Sequence, residues 1–210
     1  MIPELNPIEA RILGCLIEKD LTTPEYYPLS LNALLNACNQ KSSREPVVNF
    51  DESTVEQGCD SLRAKGLVLV HSGSRATKYS HRFSERLNLG RRELPLLCVL
   101  LLRGPQTLGE LRTRTERMRE FNDLDEVERA LLHLADLESG AMTMRMPPQH
   151  GMKEQRWTHL LCGEPSPDAV IAPLPINDGR PDRIALLENE VTALRQEIDW
   201  IKQKLSDLLN

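Results

Sequence analysis

"DESTVEQGCDSLRAKGLVLV", residues 51–70, carries the reading on which the fold turns. Ser53 and Glu56 form an S-x-x-E capping box, which opens a helix by satisfying its first free N–H groups and is worth about 1 kcal/mol. Val55, Cys59 and Leu62 then recur at helical spacing, and Gly66 stands where a helix can end. "LVLVH" (67–71) follows as a strand, "SGSRAT" (72–77) as a turn and "KYSHRF" (78–83) as the returning strand.

Upstream, Asn6, Pro7 and Glu9 form an N-x-x-E start with proline at the first helical position. Ile8, Ile12, Leu13, Leu16 and Ile17 give this first helix an apolar face to about Asp20. "LTTPEYYP" (21–28) is a proline-broken connection in which Tyr26, Tyr27 and Pro28 read as packing between two helices. Ser30 caps a second helix bearing Leu31, Leu34, Leu35 and Cys38. "NQKSSREPVVNFD" (39–51) is a polar loop, where Pro46 discourages helix at Glu45. Three helices closed by a hairpin are the parts of a winged helix.

The pattern then repeats. Leu94 to Leu102 is an apolar helix, Thr107-x-x-Glu110 a second capping box, and Asp123-x-x-Glu126 the start of a helix with Val127, Leu131, Leu134 and Leu137. "GAMTMRM" (140–146) and "QRWTHLL" (155–161) form the second hairpin, joined by "PPQHGMKE". The expected fold is mainly α (α+β), with winged helices at 5–83 and 91–162. Five prolines make 164–183 a semi-rigid linker.

Residues 184–209 read as a coiled-coil helix. Ile184, Leu187, Val191, Leu194, Ile198, Ile201, Leu205 and Leu208 alternate spacings of three and four. Mostly β-branched a positions with mostly leucine at d favour a parallel two-stranded coil. In that arrangement Arg183 faces Glu188, Glu190 faces Arg195 and Glu197 faces Lys202, all of opposite sign. The expectation is a parallel homodimer; the competing reading folds the helix back on its own chain.

The net charge of −5 argues against a general polyanion binder while leaving room for a local basic patch. Residues 1–92 carry 12 basic and 11 acidic side chains, 93–163 carry 9 and 11, and 164–210 carry 5 and 9. Five scattered cysteines, never paired as C-x-x-C, read as reduced core residues. "MIPELNPIEA" has no charged n-region or long apolar run, and the most apolar stretch is too short to span a membrane. A reducing cytoplasm is the expected compartment, with no membrane partner.

The blocks "IEARILGCLIEKDLTTPEYYPLSLNALLNACNQKSSREP" (8–46), "RATKYSHRF" (75–83) and "TLGELRTRTERM" (107–118) resemble the YceH-type family of uncharacterised bacterial tandem winged-helix proteins. The similarity runs over about 5–162. It implies a cytoplasmic protein with a DNA-binding type of fold, and it supplies no catalytic residues.

In a winged helix the third helix is the candidate reader. Its outer stripe here is Gln57, Asp60, Ser61 and Ala64, of which Gln57 alone suits a base edge, while Asp60 would face phosphate. The second copy offers Glu128, Arg129, His133 and Asp136. Lys41 and Arg44 before the third helix, with Arg75 and Lys78 at the wing, could instead clamp phosphates, which positions a protein without giving sequence specificity. The candidate nucleic-acid contacts are therefore Lys41, Arg44, Gln57, Arg75 and Lys78. The bland reading is ordinary solvated charge, which also covers Arg112, Arg114, Arg117 and Arg119. His81 and His159 occupy matching strand ends and read as a repeated structural hydrogen bond. No metal-ligand spacing or catalytic motif is present, so no enzyme and no cofactor are expected. DNA association leads; a protein-interaction scaffold, favoured by the acidic third helices, is the alternative.

Overall fold

The Asn6 side chain accepts the Glu9 N–H at 2.9 Å, and the Glu9 carboxylate accepts the Asn6 N–H at 2.7 Å. This reciprocal box, with Pro7 in the first turn, starts α1 (Pro7–Thr22). The computed structural model describes residues 2–72, 77–147 and 154–164. Arg75, most of the proline-rich segment and the whole heptad helix expected at 184–209 lie outside them.

A two-residue strand, β1 (Leu29–Ser30), runs into α2 (Leu31–Cys38), whose first turn is capped by the Ser30 hydroxyl. Helix α3 (Glu52–Ala64) begins two residues earlier than its S-x-x-E pattern suggests. Asp51, not Ser53, is the cap: its carboxylate accepts the Thr54 N–H at 2.7 Å and the Ser53 hydroxyl at 3.1 Å. An ionised acceptor at a helix N-terminus outcompetes a hydroxyl because the macrodipole favours negative charge there. Gly66, at φ +71°, turns the chain out of the helix in the left-handed region.

Strands β2 (Val68–Ser72) and β3 (Thr77–His81) form an antiparallel hairpin, and β1 joins its outer side in the order β1-β3-β2. Tyr79 lies opposite both Leu29 and Val70, and Lys78 opposite both Ser30 and His71. The returning strand expected to reach Phe83 stops at His81, and the fully buried Phe83 instead opens α4 (Phe83–Leu87), a helix the sequence reading did not include. The rest comprises α5 (Glu93–Arg103), α6 (Leu108–Thr115), α7 (Leu124–Ala135), β4 (Thr143–Arg145) and β5 (Trp157–His159), with β4 antiparallel to β5. Both expected caps form: Thr107 reciprocally with Glu110, and Asp123 with the Glu126 N–H. Among the described residues the protein is thus helix-rich α+β, with seven α-helices and two small antiparallel sheets.

The continuous apolar run of α5 has a structural cause. Leu97, Cys98 and Leu101 join a core built around Ile12, Leu13 and Leu16 of α1, while Leu96, Val99 and Leu100 join a second core with Leu111, Phe121, Val127 and Trp157. A helix buried on both sides has no polar face to spend. Helix α1 approaches α5 closely at Gly14, where an added Cβ would lie 2.8 Å from Leu102 Cδ2 and 3.2 Å from Leu101 Cβ. The Cys98 thiol donates to the Gly14 carbonyl at 3.4 Å in the same contact. The two sequence halves therefore share packing through α1 and α5. No helix among the described residues is long and apolar enough to cross a membrane.

Candidate functional site

Burial of Val55, Gly58, Cys59 and Leu62 turns Gln57, Asp60 and Ala64 to solvent along α3. Glu52 and Glu56 are exposed as well, so Gln57 stands on an acidic face. Ser61 leaves the expected stripe: half-buried, its hydroxyl donates to Glu9 at 2.6 Å. Glu9 is itself wholly buried and paired with Lys65 at 2.6 Å. Burial alone would raise its pKa, but Lys65, Ser61 and the Asn6 N–H outweigh that and hold it below the ordinary value. On α7, Arg129, His133 and Asp136 are exposed, and Glu128 pairs with Arg145. Lys78 is exposed on the central strand β3.

Arg44 is not where a phosphate could reach it. Its side chain is 0% exposed and forks onto Glu18 of α1, with Nη1 donating to Oε1 at 3.1 Å and Nη2 to Oε2 at 2.6 Å. Nε donates to the Ala37 carbonyl at 3.0 Å, and Nη1 also reaches the Ser43 carbonyl at 2.9 Å. Burial opposes the charge, but Glu18 outweighs it and raises the guanidinium pKa. A polar loop flanked by basic residues reads as surface in the sequence; here Arg44 is its internal brace, because a planar fork can satisfy a carboxylate and two carbonyls at once. Asn39 closes the same loop, exchanging two hydrogen bonds of 2.8 Å with the Phe50 backbone.

Lys41 stays exposed and acquires neighbours the sequence did not suggest. It lines a cleft of about 470 Å³ together with Lys19, Arg103, Arg114, Arg117 and one acid, Glu18. Gln57 and Lys78 do not line it. The α6 cluster that reads as solvated charge therefore splits: Arg114 and Arg117 enter the cleft, Arg112 donates to the Phe121 carbonyl, and Arg119 pairs with Glu126. Lys19 and Arg103 give no signal in the sequence, since each is a single basic residue at a helix end.

The matched histidines differ. His81 Nε2 lies 3.2 Å from Asp20, and its backbone N–H donates to the Tyr27 hydroxyl at 2.6 Å. Nδ1 of both rings is buried without a hydrogen-bond partner among the described residues, and His159 has no counterpart there to the His81 Nε2–Asp20 contact, so the expected repeated bond is seen once. Tyr27 packs as expected, whereas Tyr26 is 73% exposed. Among the described residues no group of three or more His, Cys, Asp or Glu is placed to hold a metal ion.

Residues 5–152 match the family described as "Protein of unknown function, DUF480". A "UPF0502 protein" of Solibacter usitatus is 52% identical over 203 residues, covering 95% of this chain and 97% of the relative. A second, from Opitutus terrae, is 51% identical over 203 residues, covering 92% of this chain and 84% of the relative. A third, from Vibrio parahaemolyticus, is 48% identical over 213 residues, covering 99% of each. The chain belongs to this DUF480/UPF0502 family of uncharacterised bacterial proteins, which bears out the resemblance carried by residues 8–46, 75–83 and 107–118.

Proposed function

We propose that this DUF480-family protein is a non-enzymatic, DNA-associated protein of the cytoplasm. In this reading it is made of two winged helices and pairs as a homodimer through a parallel C-terminal coil. The observation that carries it is the order α1, β1, α2, α3, β2, β3 with β1 added to the hairpin on β3, since that order matches the helix-turn-helix-and-wing plan. On such a plan Lys78 and Arg75 belong to the wing and contact phosphate. The acids around Gln57 argue for backbone binding without base readout.

Fluorescence anisotropy with unrelated duplexes tests it. Binding should be indifferent to sequence, fall steeply with rising salt and weaken on Lys78→Glu. An intact protein that binds no duplex at roughly 50 mM salt would overturn the reading.

A protein-interaction adaptor is the second reading. It is favoured by exposed leucines on α7, Leu124 and Leu132, the former flanked by Asp123 and Asp125 and the latter 50% exposed. Recovery of a stoichiometric protein partner from nuclease-treated lysate, with no duplex binding, would select it.

A further inference from the structure

We propose that the cleft between α1, the 40–43 loop and the α5–α6 pair is a binding site for a small phosphate-bearing ligand of about nucleotide size. This goes beyond the DNA reading, since it concerns a different surface from the Lys78 wing and a different class of ligand.

Lys19, Lys41, Arg103, Arg114 and Arg117 line the cleft against one carboxylate, Glu18. That carboxylate is already taken by the buried Arg44 fork, which is not part of the lining. Among the described residues Lys41, Arg103 and Arg117 have no ion-pair partner, and Arg114 has Glu110 at 3.5 Å. Arg114 Nη1 is buried without a hydrogen-bond partner there. The cations disturb one another: burial, then the Arg114 and Arg44 charges, pull the Arg103 pKa below its ordinary value. A chain of net charge −5 has no shortage of acids to neutralise such a cluster, yet Glu18, shared by Arg44 and by Lys19 at 3.7 Å, is the one acid in the lining, and Glu110 reaches Arg114 from outside it. A cluster kept positive at this cost is complementary to a polyanion.

Geometry supports a defined ligand. The cleft volume of about 470 Å³ falls within the range of small-molecule sites, roughly 300–1,000 Å³. Leu102 and Met118 add an apolar wall on which a base or other flat group can rest. The loop carrying Lys41 is fixed before any ligand arrives, because Arg44 holds it to Glu18 and the Glu45 N–H donates to the Leu102 carbonyl at 2.8 Å. Preorganised cations bind phosphate without the cost of ordering a loop.

Calorimetric titration of the full chain with pyrophosphate, with ATP and with a short duplex tests this. Saturable binding of pyrophosphate or ATP at one site per chain is expected, weakening as salt rises. Lys41→Glu with Arg117→Glu should reduce it at least about tenfold, the scale of a lost charge-assisted hydrogen bond, while Lys78→Glu leaves it unchanged. If the double reversal does not fold, Lys41→Gln and Arg117→Gln, made singly, should each give a measurable loss. No saturable binding of either small ligand overturns the proposal. So does binding confined to the duplex, or small-ligand binding that the cleft variants leave intact.

Discussion

The loop before α3 and the loop before α7 each hold an arginine against a glutamate, but at different depths. Arg44 is fully buried against Glu18, whose side chain is 16% exposed; Arg119 remains 28% exposed against Glu126. Glu126 is also held by the backbone and side-chain N–H groups of Asn122, at 3.0 and 3.1 Å. The first pair is a bidentate fork at the centre of its loop, backed by the Ala37 carbonyl and the Glu45–Leu102 backbone bond, and the second is a single ion contact beside the Asn122 bonds. The same two residue types therefore stiffen a loop in one half and decorate a cap in the other. Depth and partner number, not charge, separate the roles.

Arg44→Ala should be the most damaging change, at about 3–5 kcal/mol, because it takes the bidentate partner from the largely buried Glu18, leaves it Lys19 at 3.7 Å, and frees the Ala37 carbonyl. Arg119→Ala should cost about 1 kcal/mol or less, since Asn122 still satisfies Glu126. Urea denaturation of both variants measures the difference, and equal losses would show that burial does not separate the two pairs.

Two helical glycines differ in the same way between the halves. Gly14 sits against Leu101 and Leu102, whereas the nearest atom to a Cβ on Gly109 of α6 is Thr107 Oγ1 at 4.0 Å. Gly14→Ala should therefore lose about 1–3 kcal/mol by overpacking the α1–α5 contact. Gly109→Ala should gain about 0.5–1 kcal/mol from helix propensity alone. The melting temperatures of the two variants should move in opposite directions.

The smallest effect is in the pH dependence. Burial pushes His159 down to about 4 from an ordinary 6.5. A histidine with a depressed pKa resists protonation in the fold, so its contribution is full above 6.5 and is lost as pH falls towards 4. His159→Asn should flatten stability across that window. Burial lowers His81 too, but Asp20 opposes it, so His81→Asn should flatten the profile less. Denaturation midpoints compared between pH 7 and pH 4.5 check the ranking, and equal flattening by the two variants would show that the Asp20 carboxylate does not matter.

Much of the fold was legible because it is local. Asn6 with Glu9, Thr107 with Glu110, and Asp123 cap the helices their spacing announces, and both hairpins form where the apolar alternation puts strands. Asp51 displaced Ser53 as a cap because two good acceptors stood two residues apart and spacing could not rank them. Helix α4 escaped notice because five residues are too few to show a period. The site was less legible. Lys41, Gln57 and Lys78 are exposed as expected, but Arg44 turns inward, and Lys41 finds company with residues the sequence left as ordinary surface charge.

Most helix starts, the strand pairs and, through long specific blocks, the family were already written in the order of the residues. Those features depend on residues within a few positions of one another, where period and capping chemistry act directly. Only the tertiary structure decided that Arg44 braces a loop, that α5 serves two cores, and that five cations from α1, the 40–43 loop, α5, α6 and the turn after α6 meet around one cleft. Each of these outcomes rests on which distant segments approach, and a charge becomes a brace or a binding group according to the partners and water that packing leaves it.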